Sequence, residues 1–170
     1  MIYDVEDLTK KVFNSDAKDI LASGNFGIEK ESLRVVSQST ISKKLHQASM
    51  GSPLCHRYIT TDFSEAQLEL ITPPFSDNNQ ALNFLNDIHH FVSINIEDEI
   101  LWPFSVPPHI KSEEDIEIAD YGSSNIGLFK KTYRNGLSNR YGRLMQAISG
   151  LHYNYSLPEE LWPHLMNESN

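Results

Sequence analysis

The 170-residue chain sets 14 Lys and Arg against 23 Asp and Glu, a formal charge of −9, and holds one cysteine, Cys55. The acid excess argues against a nucleic-acid binder, which needs a basic patch to neutralise phosphates. One cysteine excludes an intramolecular disulfide framework or a cysteine-cluster zinc site, and a reducing compartment is the simpler assumption. The length suits one domain with a core of its own. No apolar run reaches the roughly 18–20 residues of a membrane helix. The start, Met1-Ile2-Tyr3-Asp4-Val5-Glu6-Asp7, lacks the basic and apolar pattern of a secretory signal. The expectation is a soluble, cytoplasmic protein with no nucleic-acid or membrane partner.

In chain order, Val5, Leu8, Val12, Phe13, Ile20 and Leu21 among charges predict an amphipathic helix over 4–22. Asn25 to Val36 reads as a strand, with Gly24 and Gly27 near its start. Residues 37–56 read as loop, and 58–71 as one or two strands stopped by Pro73-Pro74. Ser76 or Asp77 caps a helix to about Ile96, with Ala81, Leu85, Ile88 and Val92 on one stripe. The acidic, proline-containing stretch 97–120 predicts an irregular, solvated excursion. Ser123 and Ser124 offer caps for a second long helix, about 125–148, lined by Phe129, Tyr133, Leu137, Tyr141 and Leu144. Gly136 and Gly142 each weaken it by about 1 kcal/mol relative to Ala. Residues 151–157 alternate as a strand, and Pro158 begins a final helix.

The acids sit where a buried sheet would carry Val or Leu. Side chains at i and i+2 of a strand share a face. Glu29 pairs in this way with Glu31, Glu65 with Gln67 and Glu69, and His152 with Asn154 and Ser156. Such rows can simply face water, as one side of an antiparallel sheet commonly does. Like charges on neighbouring positions repel, however, and a hard divalent cation such as Mg²⁺ relieves that repulsion through carboxylate oxygens. Spacing alone leaves both readings open. A basic stretch, Lys130, Lys131, Arg134, Arg140 and Arg143, solvates a helix face; Arg134, beside Tyr133, is the better carboxylate or phosphate fork. Asp87, His89 and His90 do not share a helix face, as a metal site would require. Cys55 beside His56 lacks an orienting third group. Gly122 and Gly127 lack the Walker spacing, and Trp102 reads as packing.

Gly27-Ile28-Glu29-Lys30-Glu31-Ser32-Leu33-Arg34 resembles the opening strand of the proteobacterial glutamate–cysteine ligases. The run from Ile59 to Pro73 resembles their next signature. Trp102-Pro103, Tyr121-Gly122-Ser123-Ser124-Asn125, the run from Tyr133 to Gly142, and the run from Ile148 to Pro158 follow in order. The resemblance implies an α+β catalytic fold related to glutamine synthetase. Strands 25–36, 58–72 and 150–157 would share one mainly antiparallel sheet, with the two long helices against one face. It also implies ATP-dependent joining of the γ-carboxylate of L-glutamate to the amine of L-cysteine through γ-glutamyl phosphate, the first step towards glutathione.

By the same resemblance Glu29, Asp62, Glu69 and His152 bind Mg²⁺ or Mn²⁺ at the ATP phosphates, with Glu31 as a subsidiary candidate. Tyr133, Arg134, Leu137 and Phe63 match the cysteine pocket. No residue is assigned as a catalytic acid, base or nucleophile. Members of the family are far longer, so residues 1–170 are expected to be the N-terminal part of a single catalytic domain whose C-terminal remainder is absent. Two other readings stand beside this one. The first is an inactive remnant that at most binds metal or a partner chain. The second is a related carboxylate–amine ligase with another amine acceptor. Unpaired sheet edges predict self-association.

Overall fold

The computed structural model describes residues 4–13 and 17–166. Helix α1 (Val5–Phe13) and helix α2 (Ala17–Leu21) occupy the segment expected as one helix; residues 14–16 lie outside the described residues. Strand β1 (Asn25–Val36) runs over the expected range. The expected loop 37–56 contains a short strand, β2 (Thr40–Ile41), and two 3₁₀ turns, and it buries Ile41 and Met50. Strands β3 (Ile59–Thr61) and β4 (Gln67–Ile71) resolve the next segment into two.

Helix α3 (Asn78–Asn95) begins where the Asp77 side chain accepts a hydrogen bond from the Gln80 amide, 2.9 Å away. Strand β5 (Ile100–Leu101) lies within the acidic stretch. Helix α4 (Asn125–Tyr141) is capped by Ser124 and ends at Gly142, whose φ of 79° suits a residue without Cβ. That glycine, and not Gly136, divides the expected 125–148 helix; helix α5 (Arg143–Gln146) follows it. Strand β6 (Leu151–Ser156) precedes a 3₁₀ turn and the short helix α6 (Trp162–Leu165). The last four positions of the expected final helix lie outside the described residues.

All strand pairings are antiparallel, and β1 is the hub, pairing with β2, β4, β5 and β6, while β3 joins through β4. Glu29 stands opposite Ile71 of β4 on one side and His152 of β6 on the other. Alternation then sends the residues of β1 and β4 to two unlike faces. Phe26, Ile28, Leu68 and Leu70 pack with Ala81, Leu85, Ile88 and Val92 of α3 into one buried cluster. Each of the Val, Leu, Ile and Phe side chains contributes about 1.5–3 kcal/mol by leaving water.

The other long helix is placed differently. Helix α4 adds only the half-buried Leu137, to a second cluster holding Leu33, Val35, Phe63 and Ile116. Its expected lining of Phe129, Tyr133 and Tyr141 is exposed, as is Leu144 of α5.

The acidic excursion is less solvated than its composition suggests. Ile116 and Ala119 are fully buried, and Glu99 accepts two 3.0 Å hydrogen bonds from Arg34 Nη1. Both side chains of that pair are 0 % exposed. Arg34 Nη2 also donates to the carbonyls of Lys44 and Glu65, so one guanidinium ties three segments to β1.

Candidate active site

On the β1 face opposite α3, Glu29, Glu69 and His152 each bring one ligand atom within 4.8 Å of the other two. The register accounts for it. Glu29 and His152 are direct cross-strand partners, with His152 Nδ1 3.5 Å from Glu29 Oε2. Glu69 lies opposite Glu31, one position along the same face. Glu31 does not join the triad, although it is close to it. Its Oε2 accepts a 2.7 Å hydrogen bond from the Gly150 amide, and its own amide donates to the Gly150 carbonyl at 3.0 Å. Glu31 thereby fixes the entry to β6 two residues before His152.

Asp62, in the turn after β3, lies outside the triad but acts on it through charge. Burial first, and then the charges of Asp62, Glu29 and Glu31, together push the Glu69 carboxyl up to about 7, with His152 opposing. Asp62 itself is raised, first by burial, against the lowering charge of Arg134. Glu31 is raised by burial too, against the Gly150 hydrogen bond. Carboxylates that raise one another's proton affinity are short of positive charge, and two carboxylates with an imidazole form a donor set suited to a divalent cation.

The expected cysteine-pocket residues divide between surface and core. Tyr133 is exposed on α4, whereas Phe63 is 2 % exposed inside the second cluster, against which Leu137 packs. Arg134 bridges the two groups of candidates. Its Nε donates to the Asp62 carbonyl, its Nη1 to the Lys130 carbonyl, and its guanidinium lies 4.7 Å from the centre of the Tyr121 ring. Helix α4 is therefore tied to the turn that presents Asp62.

Two supports escaped the sequence reading. Tyr121, quoted there only within a motif, donates from its hydroxyl to the Thr61 carbonyl at 2.7 Å and accepts from Thr61 Oγ1. Gln67, on the polar row with Glu69, is fully buried and donates to the Ile148 carbonyl and Ser149 Oγ. It holds the approach to β6 from the β4 side, as Glu31 does from β1.

Glu65, expected to point with Gln67 and Glu69, does not. It lies in the turn before β4, where alternation does not hold, and its carboxylate accepts from the His46 and Asp120 amides. An acid beside an apolar residue in the tight run Ser64-Glu65-Ala66 is the one signal that could have separated it from the row.

A family model described as glutamate-cysteine ligase matches residues 9–170. A glutamate–cysteine ligase of Yersinia pseudotuberculosis is 54% identical over 136 residues, which are 80% of this chain and 26% of that protein. One from Buchnera aphidicola is 46% identical over 167 residues, 98% of this chain and 32% of its own length. The crystal structure of the Francisella tularensis glutamate–cysteine ligase in complex with AMP superposes with a TM-score of 0.81 at 41% identity, over 84% of this chain and 29% of that one. The chain thus spans about a quarter to a third of the length of these relatives. Among the described residues, no helix is long and apolar enough to cross a membrane.

Proposed function

The chain belongs to the glutamate–cysteine ligase family, and from that premise we propose that it is the N-terminal part of a catalytic domain joining L-glutamate to L-cysteine at the expense of ATP. The observation that carries the reading is the convergence of Glu29, Glu69 and His152 from three strands onto one point, with Asp62 and Glu31 raising the negative charge around it. We assign Glu29, Asp62, Glu69 and His152 to binding Mg²⁺ or Mn²⁺. Such an ion supplies neutralisation of charge on the transferring phosphoryl group.

The chemistry explains why that charge control is needed. A carboxylate is a poor electrophile. Transfer of the ATP γ-phosphoryl group to a γ-carboxylate oxygen of glutamate, with ADP leaving, turns that oxygen into a leaving group. The cysteine amine then attacks the acyl carbon, and the C–O bond breaks to release phosphate. Glu31 and Gln67 hold the segment before β6 so that His152 stays opposite Glu29. Arg134, fixed to the Asp62 carbonyl, places a cation beside the same turn, while Tyr133 and Leu137 offer aromatic and aliphatic surface for a thiol side chain, with Phe63 in the cluster against which Leu137 packs. A free, exposed Cys55 suits the reducing cytoplasm in which we place the reaction.

We further propose that these 170 residues alone turn over nothing, because they span so little of their relatives' length. The test is γ-glutamylcysteine formation with Mg²⁺, ATP, L-glutamate and L-cysteine, by this chain alone and by this chain fused to the segment that follows the matched region in the Yersinia relative. Product from the fusion only, abolished by Glu69→Gln, is expected. Multiple turnovers by the chain alone would overturn the incompleteness. A folded fusion that makes 2-aminobutyrate or ammonia adducts in preference to the cysteine product would replace cysteine as the acceptor.

A further inference from the structure

Tyr121 is buried, with 6% of its surface exposed, yet it belongs to neither apolar cluster. Its backbone is pinned independently of its side chain. The segment before it runs antiparallel to the turn after β3, with Ile118 opposite Ser64. The Glu65 amide donates to the Glu117 carbonyl at 2.9 Å, the Ala119 amide to the Phe63 carbonyl at 3.0 Å, and the Asp120 amide to the Glu65 carboxylate at 2.8 Å.

From that fixed position the side chain acts on Asp62 from both sides. Peptide groups are planar, so the two that flank a residue set the direction of its side chain. The peptide before Asp62 carries the Thr61 carbonyl, which accepts from the Tyr121 hydroxyl at 2.7 Å, while Thr61 Oγ1 donates back to that hydroxyl at 3.0 Å. The peptide after it carries the Asp62 carbonyl, which accepts from the same hydroxyl at 3.3 Å and from Arg134 Nε. The ring in turn holds the arginine, with the guanidinium 4.7 Å and Lys130 Nζ 4.8 Å from its centre. An aromatic face attracts a cation without neutralising it, as a carboxylate in its place would.

We infer that Tyr121 is a positioning residue for the cation site: by fixing both peptides around Asp62 it sets the direction in which Asp62 presents its carboxylate to the cluster of Glu29, Glu69 and His152. The inference rests on the assignment of Asp62 to Mg²⁺ or Mn²⁺ proposed above. The competing account is a buried tyrosine that stabilises the chain and does nothing for the ion.

The experiment titrates the full 170-residue chain with Mn²⁺ alone and reads free Mn²⁺ by electron paramagnetic resonance. Tyr121→Phe keeps the ring and the anchored backbone and removes the hydroxyl. It is expected to raise Kd about fivefold, the equivalent of one or two hydrogen bonds. Thr61→Val preserves the shape of a buried side chain and deletes only the bond into that hydroxyl, so it should weaken binding in the same direction by less. In an Asp62→Ala background the Tyr121→Phe loss should vanish, since no carboxylate is left to direct. A merely stabilising tyrosine would not produce that coupling. Far-UV circular dichroism and urea midpoints check that each variant folds, and if Tyr121→Phe does not, the Thr61→Val cycle decides alone.

A Kd within about twofold of wild type for Tyr121→Phe, or an equal loss with and without the Asp62 carboxylate, overturns the inference. If Glu69→Gln and Asp62→Ala weaken Mn²⁺ binding while Tyr121→Phe does not, the metal assignment stands and only the role of Tyr121 falls. A wild-type chain that binds no Mn²⁺, or binds it equally well after Glu69→Gln, removes the metal assignment itself and this inference with it.

Discussion

The two faces of β1 and β4 are built from the same twelve-residue and five-residue strands, yet they differ in almost every physical respect. Toward α3, Leu68 and Leu70 are fully buried in an apolar cluster shared with the helix. Toward the other side, one residue along, stand Glu29, Glu31 and Glu69, half-exposed and mutually repelling. A strand period of two lets one segment be structural and chemical at once. The consequence is that the α3 side is core. On the other side, which further along β1 buries Leu33 and Val35 in a second cluster, the patch of Glu29, Glu31 and Glu69 is a local cost until something of positive charge reaches it.

Breaking the closed side has the largest expected effect. By alternation Arg34 lies on the α3 side of β1, and its ion pair with Glu99 is completely buried. Removing one partner of such a pair leaves an uncompensated buried charge, which costs about 3–5 kcal/mol. Arg34→Met is expected to lower the urea midpoint accordingly, and Arg34→Met with Glu99→Leu to recover a large part of the loss. A double variant as unstable as the single one would mean that the guanidinium matters chiefly through its bonds to the Lys44 and Glu65 carbonyls.

The open side behaves in the opposite sense. Glu69 is raised in the folded chain to about 7, from an ordinary value of 4.5. Between those values the folded state holds a proton that the unfolded state has released, so stability is greatest at the acid end and falls as pH rises through 7. Asp62 and Glu31, raised in the same direction, add to the trend. Asp98, Asp115 and Asp120 are lowered by lysine partners and contribute stability lost only on acidification below their ordinary values; Asp98 and Asp120 are exposed and Asp115 is partly so, so solvent screens their share.

In EDTA, the carboxyl cluster should therefore favour melting at a higher temperature at pH 5 than at pH 7.5, against the half-buried His46 and His89, whose pKa values burial lowers and which act in the opposite sense. Glu69→Gln should flatten that difference and raise the melting temperature at pH 7.5. Mg²⁺ at pH 7.5 should stabilise the wild type, in proportion to the logarithm of its concentration above Kd, and not the variant. A pH dependence in EDTA that Glu69→Gln leaves unchanged would show that the cluster is not strained, since the histidines act equally in wild type and variant.

How much of this could be read without coordinates depends on whether the cause is local. The β1 range and the Asp77 cap of α3 were legible, since alternation, capping and stripe spacing are local signals. Alternation also put Glu29 and Glu31 on one face. Which of them meets His152 is decided by the 29–152 register, a pairing 123 positions apart in sequence that composition does not set. The Arg34–Glu99 pair, 65 positions apart, was invisible for the same reason. The α4 stripe failed in another way: spacing marks a helical face but does not say whether anything lies against it. Glu65 failed because a turn interrupts the period.

The smallest effect sharpens the comparison through two caps of the same kind. Asp77 accepts from the Gln80 amide at 2.9 Å, and Ser124 accepts from the Gly127 amide at 3.1 Å. Loss of either to alanine costs its helix about 1 kcal/mol. Helix α3 buries Ala81, Leu85, Ile88 and Val92, so its first turn cannot fray without disturbing the core. Asp77→Ala should therefore shift the urea midpoint of the whole chain. Helix α4 has one half-buried apolar contact and exposed aromatics, and its tie to the Asp62 turn through Arg134 lies ten positions past the cap, so its first turn is coupled to less of the core. Ser124→Ala should leave the midpoint within about 0.5 kcal/mol of wild type and instead speed amide hydrogen exchange at Gly127 and Leu128. A global loss from Ser124→Ala equal to that from Asp77→Ala would mean that α4 is as firmly part of the cooperative unit as α3, and that the open face is energetically closed.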